Sequence, residues 1–199
     1  MRPPITLERH LAAWAYQNAW ANHRLLKACA GLSPAQFAAR RESFFPSIKA
    51  TLNHILTVDW MYADAMERAM AGRDPHPDIG AFYEPAEPFD RVDELASAQQ
   101  AVDCRLVALC VSLGADDLAR PVALIRRKGR VEEPMHRLLA HVFEHQIHHR
   151  GQVHAMLAGT PVAPPQLDEF FCANEADLRA ADFAELGFSE DAIWGQPKA

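Results

Sequence analysis

Four stretches of the chain, each about 22 to 26 residues long, carry apolar residues at helical spacing, with glycine and proline between them. Such a chain buries its apolar stripes by packing helix on helix. Thr6 is placed to cap a first helix running to about Ala30, where Gly31 stops it and Ser33-Pro34 opens a short turn. Pro46-Ser47 opens a second helix that runs to about Ala71 and ends at Gly72. Residues 73–90 hold Pro75, Pro77, Gly80, Pro85 and Pro88 and read as a long surface loop. A third helix is expected over about 90–113, closed by Gly114. Residues 121–132 suit an extended pair turning at Lys128-Gly129. Pro134 lies in the first turn of a fourth helix reaching about Ala158, before Gly159, Pro161, Pro164 and Pro165. A shorter helix is expected near 173–185. The pattern predicts an all-α four-helix bundle with a short C-terminal helical appendage, one domain over residues 1–199.

Composition removes several function classes. The net charge is -6 and the basic residues are scattered, so the stripe that nucleic-acid binding needs is missing. No apolar run approaches the roughly 18 residues of a membrane span. The first residues, Met-Arg-Pro-Pro-Ile-Thr-Leu-Glu, lack the apolar core of a signal peptide. Cys29, Cys104, Cys110 and Cys172 show no CxxC spacing and read as reduced thiols of a cytoplasmic protein. The histidines stand out. There are 10, and His141, His145, His148, His149 and His154 crowd into one predicted helix.

Helical phase, at about 100° per residue, sorts these positions. With His149 as zero, Met135, Leu138, Val142, Val153, Met156 and His145 all fall within about 40°. His145 and His149 are one turn apart and can hold one metal ion between them. His141 and His148 lie at the stripe edge, and His154 faces away. Other helices show the same kind of interruption. Asn18 and Asn22 break the stripe of Leu7, Leu11, Trp14, Leu25 and Cys29; Gln99 and Asp103 break that of Val92, Leu95, Leu106, Cys110 and Leu113. His54 aligns with Thr51, Val58, Met61 and Ala65. In antiparallel packing these polar groups can meet at one level. They form either a polar cavity or a satisfied hydrogen-bond network, because an unpartnered buried polar group costs about 1–3 kcal/mol.

Four segments carry a resemblance to a known family. They are Tyr16 through Leu26, Phe45 through Trp60, the run from His141 to Gln152 ending His-His-Arg-Gly-Gln, and Gly159 through Asp168. Together they resemble the DinB/YfiT-like metal-binding four-helix bundles. The resemblance implies that His54, His145 and His149 bind a divalent metal, zinc or nickel first, with manganese and iron as the alternatives. Glu144 departs from the pattern, standing where many relatives have Asn.

The resemblance further implies one of two functions. The first is a metal-dependent enzyme, thiol S-transferase-like or hydrolase-like, that activates a low-molecular-weight thiol or water. The second is a non-catalytic metal-binding protein of stress response or partner interaction. A homodimer is also implied. Asn18, Asn22 and Gln99 are expected to line a substrate pocket beside the metal. Asp59, Asp103 and His141 are expected to orient the metal-bound imidazoles, with local capping or pairing as the alternative. Arg150 reads as a salt-bridging surface residue, Gly151 as a site of close helix packing, and Trp14, Trp20 and Trp60 as core.

Overall fold

The computed structural model describes residues 5–126 and 128–195. In chain order it runs α1 (Leu7–Cys29), α2 (Pro34–Ala38), α3 (Ile48–Met70), α4 (Gly80–Tyr83), α5 (Val92–Ser112), a hairpin of β1 (Pro121–Arg126) and β2 (Gly129–Pro134), α6 (Met135–Leu157), α7 (Ala176–Leu186) and α8 (Glu190–Trp194). The four long helices match the expected ones to within a few residues. Their starts are set locally. The Thr6 and Ser47 hydroxyls accept from the backbone N–H of Arg9 and Ala50, which removes orphan donors from the first turns of α1 and α3. Gly72, at φ +64°, takes the left-handed turn that ends α3. Pro134 is the residue before α6 rather than within its first turn.

The helices form a ring in the order α1, α5, α3, α6. Cross-helix contacts fix their directions. His54 meets His145, and Tyr62 meets His141, so α3 and α6 run antiparallel. Asp59 meets Gln99, and Glu67 meets Arg105, so α3 and α5 run parallel. Trp14 stacks on Phe143 while Asn22 reaches Arg150, so α1 and α6 also run parallel. The bundle is therefore up-down-down-up, not antiparallel throughout. This explains the long connection between α3 and α5, since a parallel neighbour requires the chain to travel back the full helix length.

The connection after α5 holds the hairpin, whose register pairs Val122 with Glu133 and Leu124 with Val131. Val122 and Leu124 are buried, and the Arg126 guanidinium donates to the Tyr62 hydroxyl at 2.6 Å, so the hairpin packs on α3. The core joins Leu25, Ile48, Ile55, Leu56, Leu95, Leu106 and Met135 from all four long helices. A second apolar cluster surrounds Trp20 with Phe170, Phe183 and Ile193. It seats α7 and α8 on the outer face of α1, where Arg24 binds Asp182 and Glu169 at 2.7 Å. Trp20 is fully buried, whereas Trp14 and Trp60 are half-buried at the margin of the core.

Gly151 behaves differently from its sequence reading. It lies on the exposed side of α6, and a Cβ added there would meet nothing within 4 Å. Close packing within this chain is not the reason for a glycine at that position.

Candidate metal centre

The antiparallel contact of α3 and α6 brings three histidines together. His54 Nε2 lies 3.1 Å from His145 Nε2. The His149 ring is centred 4.7 Å from that of His54 and 4.4 Å from that of His145. One ring nitrogen from each lies within 4.8 Å of the other two. Nitrogens bound to a single zinc ion about 2.0–2.1 Å away stand roughly 3.3 Å apart, so the His54–His145 spacing suits a shared ion.

The surroundings set the chemistry of the three imidazoles. Burial lowers the pKa of His54 to about 4, with His149 adding to the effect. Burial and the neighbouring histidines lower His145 to about 3. Burial also lowers His149, against the opposing effect of the hydrogen bond it donates to Gln152. All three are neutral near pH 7, the form that ligates metal. Gln152 Oε1 lies 2.9 Å from His149 Nδ1 and accepts its proton, which leaves Nε2 as the free lone pair. Nδ1 of His145 is buried and has no hydrogen-bond partner among the described residues. Phe45, from the segment before α3, packs its ring 4.4 Å from His54 and 5.6 Å from His149. A second group, His23, Asp182 and Glu185, also clusters, but Arg24 and Lys27 already neutralise its carboxylates.

The other polar interruptions meet elsewhere in the core. Arg150, only 3% exposed, donates to the side-chain carbonyls of Asn18, Asn22 and Gln146 at 2.5, 2.9 and 3.2 Å. The amide groups of Asn18 and Asn22 donate in turn to Asp103 at 3.2 and 3.0 Å. The amide of Gln146 donates to Asp59. Gln99 donates to both carboxylates, at 2.8 Å to Asp59 and 3.2 Å to Asp103. Three amides thus sit between one guanidinium and two carboxylates, each turning its carbonyl to the cation and its NH₂ to an anion. The relay ties all four long helices together.

These contacts reassign several residues. Asn18, Asn22 and Gln99 are brought together as expected, yet their amides are engaged with Asp103, Asp59 and Arg150 rather than facing an open pocket. Asp59 and Asp103 accept from amides, and no hydrogen bond joins them to an imidazole among the described residues. His141 is exposed, with its ring 6.2 Å from that of His145 and outside the ligand group. Arg150 is not a surface residue. Gln146 and Gln152 were missed as site residues. Gln146 had a legible signal, because it lies only about 60° from His149 in phase.

Two kinds of outcome follow from this geometry. Replacing Arg150 with Met should destabilise the fold by about 3–5 kcal/mol, since Asp103 loses its counter-charge and three amide carbonyls lose their donor. Asn22→Leu should also destabilise, by about 1–3 kcal/mol, because it strands donors and acceptors of the relay. Urea denaturation checks both, and wild-type midpoints would contradict the relay. The lowered imidazole pKa values move the second outcome away from ordinary histidine behaviour. An unperturbed histidine would compete with metal below about pH 6. Here metal affinity measured by titration calorimetry should begin to weaken at a lower pH than an unperturbed imidazole would set, because all three imidazoles are lowered. A steep loss centred near pH 6 would contradict it.

No curated protein matches the chain. The model of the DinB family matches residues 8–181. That span takes in all four bundle helices and the three converging histidines, and the chain belongs to the DinB family.

Proposed function

We propose that His54, His145 and His149 hold one divalent ion, zinc or nickel first and manganese or iron as alternatives. On this reading the protein is a metal-dependent enzyme, thiol S-transferase-like or hydrolase-like. The observation that carries the reading is the convergence of three neutral imidazoles with no carboxylate among them. Three protein ligands leave coordination positions open, as in catalytic rather than structural sites. The ion would supply Lewis acidity, lowering the pKa of a low-molecular-weight thiol or of water to near neutrality.

The chain's own groups prepare that chemistry. Gln152 fixes the tautomer of His149. Phe45 covers one side of His54 and His149 and keeps water from it. His54 and His145 are only partly buried, which leaves a route in for substrate. The protein's own thiols are poor competitors at the core, since burial pushes Cys29 and Cys110 up to about 12. The described residues contain no helix long and apolar enough to cross a membrane. A cytoplasmic location completes the reading.

A second reading, a non-catalytic metal-binding protein of stress response or partner interaction, has one observation in its favour. No carboxylate stands within hydrogen-bond reach of the three imidazoles to act as a general base among the described residues. Metal content by mass spectrometry after native purification, followed by a screen for thiol conjugation and ester or amide hydrolysis, separates the two. We expect about one ion per chain, lost in His145→Ala together with activity. Full metal in His145→Ala would remove the ligand assignment. A loaded protein inert across the screen would favour the second reading.

The homodimer is proposed through the outer face of α6. Ile147 is 47% exposed there, and Gly151 lies one turn further on with open space above it. A glycine without an intrachain neighbour suits the close approach of a second backbone. Light scattering should report a dimer for the wild type and a monomer for Gly151→Leu. A wild-type monomer at working concentration would end this proposal.

A further inference from the structure

We propose that Asp59 is a proton-holding site: in the folded protein its carboxyl carries a proton on Oδ1 and donates it to Oε1 of Gln99. The inference stands on the relay and is independent of any metal. Asp59 and Gln99 are fully or almost fully buried, at 0% and 2% exposure. Gln99 Nε2 donates to Asp59 Oδ2, so the amide and the carboxyl lie side by side. The far end of each is an acceptor, Gln99 Oε1 and Asp59 Oδ1. Both are buried, and both lack a hydrogen-bond partner among the described residues.

Turning the Gln99 amide over does not repair this. Its NH₂ already serves both Asp59 and Asp103, and a flip would aim a carbonyl at two carboxylates. Two buried acceptors at the free ends of one amide–carboxyl contact are short of one donor hydrogen. A proton on Asp59 supplies it, and a proton needs no cavity. The charges agree. Asp59, Asp103 and Arg150 sum to one net negative charge when all are ionised, and one proton cancels it.

The choice between the two carboxyls follows from their donors. Asp103 accepts from Asn18, Asn22 and Gln99, with Asn22 reaching both of its oxygens. Such donors favour the anion. Asp59 accepts at Oδ2 alone, from Gln99 and Gln146. The charged groups that face Asp59 are Asp103 on α5, which strengthens its hold on a proton, and Arg150 on α6, which weakens it; α1 presents only Asn18 and Asn22. Burial dominates and raises the Asp59 pKa to about 7, above the about 6 of Asp103.

Asn is the neutral mimic of this state. In Asp59→Asn the new NH₂ would donate to Gln99 Oε1, while the carbonyl accepts from Gln99 and Gln146. The sign of the pH dependence follows from linkage. A carboxyl whose folded pKa is raised stabilises the fold fully below its unfolded pKa, and that contribution is lost as pH rises through the folded value. The wild-type folding constant, divided by that of Asp59→Asn, should therefore fall about tenfold per pH unit between about pH 4.5 and pH 6.5 and level off above about pH 7. The histidines titrate in both proteins and cancel in the ratio. A ratio that is flat or rises with pH over that window would overturn the proposal. Infrared spectroscopy of the wild type with carboxyl-labelled aspartate decides the matter even if the variant fails to fold. A protonated carboxyl band at about pH 5.5 that disappears by about pH 9 and is kept in Asp103→Asn supports the site, whereas loss of the band in Asp103→Asn assigns the proton to Asp103 and refutes it. An ionised spectrum alone at about pH 5.5 refutes it.

Discussion

The structure depends on one buried guanidinium. Arg150 sits in the middle of the bundle, 3% exposed, and a charge there is tolerable only when paired. It is paired indirectly, through the side-chain amides of Asn18, Asn22 and Gln146, with carboxylates on α3 and α5. An amide between unlike charges serves both, and its orientation is then determined. A leucine core would accept α1, α3, α5 and α6 in several registers. This relay accepts one, because each helix contributes a group whose partner lies on a different helix. A buried polar network specifies a unique arrangement in this way only when its members are satisfied.

Register is what the proposed metal centre needs. His145 and His149 share α6 with Gln146 and Arg150, so the helix that carries two of the three histidines is itself held by the relay. His54 shares α3 with Asp59, five residues further along. Sliding α3 against α6 by a turn would separate His54 from its partners and break the contact between Gln146 and Asp59 together. The proposed chemistry and the stability thus use neighbouring positions on the same two helices. They remain distinct sites, since His54 and His145 stay partly exposed while the relay is sealed.

Much of this was legible in the sequence, for physical reasons. Glycine and proline punctuate the helices because they alone break helical backbone cheaply or necessarily, so four long helices and a hairpin turning near Gly129 could be read directly. The three histidines emerged from spacing and phase. The phase of α6 misled in its centre. The apolar stripe was centred on His149, but the buried arc runs on through Gln146, Leu139, Arg150 and Phe143, about 60° to 120° round the helix. Packing against α1 widens the arc on that side, and nothing in a single helix reveals where its neighbours stand. For the same reason His149 and His145 lie toward the edge of the core. Arg150 looked like a surface residue because its counter-charges come from helices remote in sequence. The parallel pairing of α3 with α5 was hidden likewise, since helix direction is set by connections and not by periodicity.

The most direct test of the central reading is X-ray absorption spectroscopy at the edge of the metal that the protein carries after native purification. The account predicts a first shell of light atoms containing three imidazoles, with no sulfur once free thiols have been dialysed away. Sulfur that remains in that shell, or one imidazole only, would contradict it.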